Sequence, residues 1–115
     1  MAVSAFATGT QTSVLGTEHF LSSPNVAGTY TLHVDTNVMN LADVLELRVY
    51  QMILTGGTSR VVYVARYVGV QHVDDQIKVS LPIANELSDT NALRFSLKQM
   101  AGTVHAYPWK VLSYR

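Results

Sequence analysis

The histidines His19, His33, His72 and His105 have the widest chemical reach in this chain, and their spacing denies them its commonest uses. A strand offers two zinc ligands from positions i and i+2, and a helix from i and i+4. No two of these histidines stand at either spacing. His33 falls on the polar side of an alternating segment and His72 at the end of a hairpin, so solvated surface histidine is the better reading. Serine and threonine are plentiful, but no Gly-x-Ser-x-Gly elbow positions a nucleophile, and any His–Asp pair has to be assembled by the fold. Gly56-Gly57-Thr58 lacks the spacing of a phosphate loop and leads into a strand, without the helix N-terminus that such a loop needs. Asp74, Asp75, Glu86 and Asp89 show no regular spacing of oxygen ligands for calcium and read as turn residues. There is no cysteine, so disulfides, thiol nucleophiles and thiolate metal sites are excluded. The sequence therefore assigns no catalytic, metal or cofactor-binding residue, and the expectation is a protein that is not an enzyme and carries no cofactor.

A second constellation concerns contacts. Arg48, Arg66, Arg94 and Lys98 interleave with Tyr50, Tyr63, Tyr67 and Phe95, a mixture able to stack on nucleic-acid bases. A formal net charge of zero argues against that partner, and Arg with Tyr is equally the mixture enriched at protein interfaces. Near the end, Tyr107-Pro108-Trp109-Lys110-Val111 reads as a core cap, a partner anchor or a sugar platform.

The elements carrying these residues are strands. Residues 43–55 and 58–72 flank Gly56-Gly57 and are rich in Val, Ile, Leu and Tyr, which predicts a long hairpin closed by a tight turn. In its first arm Leu45, Leu47, Val49 and Ile53 point inward, with Glu46, Arg48, Tyr50 and Met52 outward. In its second, Val62, Val64, Val68 and Val70 share a face with Arg66, opposite Val61, Tyr63, Ala65 and Tyr67. A hairpin apolar on both faces needs covering on both, and Tyr50, Met52, Tyr63 and Tyr67 are the residues expected to be covered by a partner. Further strands are predicted over residues 10–22, 28–36, 76–81 and 93–98, the third with Ile77, Val79 and Leu81 inward against Lys78 and Ser80. The last segment, 103–114, contains Pro108, which implies an edge position or a bulge. Residues 1–10 are small, uncharged and poor in helix formers, and read as an extended N-terminal arm, disordered alone or ordered against a neighbour. The pattern predicts an all-β chain, a single β-sandwich over residues 11–115 of jelly-roll-like or immunoglobulin-like order.

The composition suits association. At 14% charged residues against 48% hydrophobic, the surface is left mainly to Thr, Ser, Asn and Gln. Residues 1–47 hold Glu18, Asp35, Asp43 and Glu46 without a single Lys or Arg, while all eight basic residues lie from Arg48 onward. Subunits meeting acidic edge to basic edge would fix register by such a distribution. Neither a secretory signal nor an apolar run of membrane-spanning length is present, and a cytosolic folding environment is expected.

The runs HVDTNVMNLADVLELRVY at 33–50, GGT at 56–58, FSLKQ at 95–99 and AYPWKVL at 106–112 together resemble small virion proteins of tailed bacteriophages. The resemblance spans about residues 28 to 113, and it implies a capsid cement or decoration subunit. It carries no catalytic motif across. It further implies a location on the outer capsid surface after synthesis in the host cytoplasm. The implied partners are the major capsid protein and the chain itself, as homodimer or homotrimer, without nucleic acid or membrane. Tyr50, Met52, Tyr63, Tyr67 and Trp109 are then the expected interface residues, with 1–10 as a clasping arm. A carbohydrate-binding β-sandwich using Trp109 and a tyrosine is the alternative, and a tail or head-completion protein a further one.

Overall fold

The computed structural model describes residues 2–114. They form nine strands: β1 (Val3–Thr12), β2 (Glu18–Ser22), β3 (Gly28–Asp35), β4 (Val44–Gln51), β5 (Arg60–Val68), β6 (Ile77–Val79), β7 (Ile83–Asn85), β8 (Leu93–Ala101) and β9 (Ala106–Tyr114). One antiparallel sheet has the order β1-β9-β3-β6, with β7 also on β3, and the other runs β2-β8-β4-β5. Both β6 and β7 pair with β3, so they are two pieces of one edge strand interrupted around Pro82. Counted that way, eight strands divide between two four-stranded sheets in jelly-roll order, which resolves the two sandwich orders left open above.

The core lies between the sheets and follows the alternation in the sequence. Leu32 and Val34 of β3, Leu45 and Leu47 of β4, and Phe95 and Leu97 of β8 are all buried. Each sits two residues from the next apolar side chain on its strand, so one face packs into the core, while the polar residues between them, Thr31, Glu46 and Ser96, are buried on the opposite face by their own neighbours.

Several expectations need correction. The segment read as a free arm is an ordered strand: residues 3–12 pair along β9, from Val3 opposite Tyr114 to Thr12 opposite Ala106. Its small side chains are what the site requires. At Gly9 an added Cβ would come within 3.0 Å of the Trp109 ring. Residue 1 of the arm lies outside the described residues. The strand expected over 10–22 is split by a turn in which Thr17 N–H donates to Val14 O and Gly16 takes a φ of 77°. That turn moves the chain from the first sheet to the second. Pro108 lies inside an interior strand, β9, and not at an edge: it pairs with Thr10 of β1 on one side, and on the other the β3 ladder stops one residue short of it, at Trp109.

The hairpin is present, but without a tight turn. Its ladder ends at Gln51 opposite Arg60, and residues 52–59 form a longer loop that exposes Ile53, expected inward. Within the loop Gly57 N–H closes a turn on Leu54 O, with Gly56 at a φ of 76°. The glycines are turn residues as read, one level further out.

β6 is inverted. Lys78 is 5% exposed and Ser80 is buried, whereas Ile77 at 54%, Val79 and Leu81 face solvent. The buried side still suits its polar residues. Ser80 Oγ accepts from Leu32 N–H and donates to Leu81 O. Lys78 lays its stem along the core, places its ammonium 4.8 Å from the Tyr67 ring centroid and ends on Asp75 at 2.9 Å. Lys78→Ala is therefore expected to cost about 1–2 kcal/mol through lost packing and the lost ring contact. Val79→Thr should stay within about 0.5 kcal/mol, as surface changes do. Denaturant midpoints of the two variants check the inversion, and the reverse ranking would refute it.

Candidate interaction surface on the second sheet

Cross-strand register decides which side chains share a face, since directly paired residues point the same way. On β4 and β5 the pairs Leu45–Tyr67, Leu47–Ala65 and Val49–Tyr63 face the core. Tyr63 and Tyr67 thus belong to the sandwich interior, half-buried against the main cluster. Trp109 packs on that same cluster, and its ring lies against Gly9. Tyr50 points to the opposite, outer side, and Met52 lies just past the end of β4, its N–H bonded to Ala92 O. The five expected interface residues are therefore split by the structure rather than gathered into one patch. What separates them is strand alternation: Tyr63 and Tyr67 pair with the inward Val49 and Leu45, whereas Tyr50 is the next residue after Val49 and faces out, opposite Val61 past a bulge that leaves Val62 as the extra residue.

The basic residues, by contrast, do come together. Arg48, Arg66, Arg94 and Lys98 all stand on the outer face of the second sheet. Register arranges that face in rows across the four strands. One row reads Glu18 on β2, Lys98 on β8, Glu46 on β4 and Arg66 on β5, alternating in sign. The next reads Phe20, Ser96, Arg48 and Val64, and a third joins Arg94 to Tyr50 and Val61.

Hydrogen bonds knit the rows together. Glu18 Oε2 accepts from Tyr50 OH at 2.7 Å and from Ser96 Oγ. Glu46, itself buried, accepts from Arg48 Nε on one oxygen and from Arg66 Nη2 on the other at 2.7 Å. Burial works against the charged form of Glu46, but the two guanidinium groups outweigh it and hold the carboxyl below its usual range. Arg94 stacks its guanidinium 3.6 Å from the Phe20 ring centroid, and Phe20 in turn leans on Tyr50 at 5.7 Å. Burial and the bond to Glu18 raise the Tyr50 hydroxyl pKa. The result is a rigid, mixed surface of charges and rings, bordered on β5 by exposed valines at 61, 62, 64 and 68.

A second cluster was not legible in the sequence. Asp43 is buried and accepts from four groups: its Oδ2 takes Asn40 N–H and His105 Nε2, its Oδ1 takes Thr103 N–H, and its carbonyl takes Gly69 N–H. The neighbouring Ser13 hydroxyl donates to Gln99 Oε1 and accepts from the His105 backbone N–H, so it does not meet the imidazole. Burial, with the Asp43 charge nearby, pushes the Tyr107 hydroxyl up to about 12. Every member is held by a local partner, and the cluster works as a clasp between the 40–43 loop, the 102–105 turn and the end of β5. The remaining histidines are scattered: His33 bonds Thr31 Oγ1, His19 meets Gln11, and His72 is exposed. Among the described residues no three His, Asp or Glu side chains converge as metal ligands.

The outer face of the first sheet carries a shallow trough of about 340 Å³ lined by residues including His33, Asp35, Ile77, Pro108 and Lys110. Desolvation, with Lys110 nearby, lowers the His33 pKa, which favours a neutral ring there. Comparison with protein-family models, curated proteins and solved structures finds no match to this chain.

Proposed function

We propose that this chain is a structural subunit of a viral particle, a cement or decoration protein seated on the outer surface of a tailed-bacteriophage shell after synthesis in the host cytoplasm. The observation that carries the reading is the outer face of the second sheet, where ordered charges and rings run up to a valine-rich edge strand. Such a face is suited to binding other folded subunits. Its partners in this reading are the major capsid protein and further copies of the chain. Jelly-roll order supports the proposal at the level of analogy, since capsid proteins use it, and so do lectins. In this reading the protein performs no catalysis, and the Asp43–His105 pair is a structural clasp.

The clasping role given to residues 1–10 is replaced by the sheet face, because residues 3–10 pair within the protein's own sandwich. Cryo-electron microscopy of the native particle tests the proposal directly. Density for this jelly roll at regular shell positions is expected, and its confinement to the tail would move the protein to the tail or head-completion reading. The carbohydrate reading loses its stacking platform, since Trp109 packs on the core beneath Gly9. Specific retention on a glycan array would restore that reading in place of the one proposed.

A further inference from the structure

Strand β5 ends the second sheet, and its hydrogen-bonding parity can be read from one bond. Gly69 N–H donates to Asp43 O at 2.8 Å, which makes Asp43 and Gly69 a bonded pair one step beyond the Val44–Val68 pair. Alternation then makes Leu45–Tyr67 and Leu47–Ala65 bonded pairs, with Glu46–Arg66 and Arg48–Val64 the unbonded ones. Val64 and Arg66 consequently turn their N–H and C=O groups away from β4, toward the open edge. Among the described residues no strand pairs with that side. At nine residues without proline, β5 is long for an edge, and beyond its bulge at Val62 the stretch 63–68 is regular and carries Arg66 as its one charge, whereas β6 and β7 are three residues each and separated by Pro82.

The outer rows specify what fits there. Strands β2, β8, β4 and β5 alternate in direction. A second copy shifted along the sheet would therefore bring its β2 antiparallel to β5, with its outer face on the same side. The row Glu18–Lys98–Glu46–Arg66 then continues with the second copy's Glu18 beside Arg66, preserving the alternation of sign. The next row continues with the second copy's Phe20, 42% exposed, beside Val64, 55% exposed. Arg66 has donors to spare, since Glu46 engages one nitrogen and the side chain is 56% exposed. A symmetric pairing of β5 with β5 does worse. Centred on Arg66 it sets like charges opposite each other, and centred on Val64 it gives neither arginine an acid.

We propose that copies of this chain join head to tail through their second sheets, β5 of one receiving β2 of the next, with Arg66 facing Glu18 and Val64 facing Phe20. A contact of this kind closes into a ring or runs on as a filament, and zero net charge leaves no long-range repulsion against it. The inference deepens the assembly reading and rests on it for its biological setting only: a monomer that still decorates particles would overturn this contact and spare that reading.

The test is sedimentation or light scattering of the purified chain beside Val64→Lys and Phe20→Lys. The wild type should form multimers with rising concentration, and each variant should associate at least tenfold more weakly, while Val64→Thr keeps assembling. Mixing the two lysine variants should then restore a single interface and give a one-to-one heterodimer, because each retains the edge that the other has lost. That heterodimer also shows that both variants are folded. A monomeric wild type, a Phe20→Lys protein that associates like wild type, or a mixture that stays monomeric overturns the proposal.

Discussion

Gly102→Ala should destabilise the protein by at least about 3 kcal/mol, lowering the melting temperature by roughly 10 °C or more. The glycine has a φ of 92°, where an L side chain is strained. A Cβ there would also stand 2.1 Å from Asp43 Oδ1, 2.6 Å from Asp43 Cα and 2.9 Å from Ala42 O. Two of those three atoms are backbone, so no rotamer change relieves the clash. The substitution must push apart the turn after β8 and the loop before β4, the two segments that Asp43 ties together. Gly16→Ala is the control, because it has a similar positive φ with nothing within 4 Å of the added carbon. It should cost only the local backbone strain, about 1 kcal/mol. Equal losses in the two melts would show that the Asp43 clasp has no special weight.

Acid should unfold the chain through the same clasp. Burial disfavours the Asp43 carboxylate, but the backbone N–H groups of Asn40 and Thr103 and the His105 ring more than offset it, and the carboxyl titrates below its ordinary value of 3.8. Glu46 titrates below 4.5, with Arg66 and Arg48 outweighing its burial. Both folded-state values are depressed, so as pH falls the unfolded chain takes up protons first. The stability from these groups is present in full above the unfolded values and is lost as pH drops through the folded ones. Melting temperature should therefore decline only slightly as pH falls through about 6.5, where the unfolded chain protonates His33 before the folded one does, and fall steeply below about 4.5. Asp43→Asn should cost about 2–4 kcal/mol at neutral pH and flatten the acid limb. Thermal melts across that range decide it, and an Asp43→Asn profile parallel to wild type would show that Asp43 does not drive the acid transition.

How much of this was legible depended on whether a pattern is local. β3, β4 and β8 alternate cleanly, because one face of each is desolvated, and their inward residues are the core. β6 misled because alternation gives the period of a strand but not its face, and a three-residue edge piece can turn Lys78 inward when Asp75 and Tyr67 receive its ammonium. The N-terminal segment misled for a related reason. Small uncharged residues suit a free arm and equally a strand that must lie flat over Trp109. The clasp was out of reach, since Asp43 and His105 stand 62 positions apart and only the fold brings them to 2.7 Å. The charge asymmetry of the sequence was visible from the start, but its meaning needed register. Glu18 and Arg66 are 48 residues apart in the chain, and it is the ladder through Lys98 and Glu46 that sets them at opposite ends of one row.

The pairing of β1 with β9 has a temporal consequence. On a ribosome, residues 3–12 emerge before the other eight strands, and the strand that receives them, 106–114, is the last of the nine to be made. Through most of synthesis β1 has no ladder to join, and β3 likewise waits for β9 along one of its sides. Closure of the first sheet is therefore a late, long-range event with a large loop entropy to overcome, which places this chain among slow folders. An unpaired β1 without a charged residue is in the meantime available to any other strand edge nearby, so the nascent chain is most exposed to misassembly just before β9 appears.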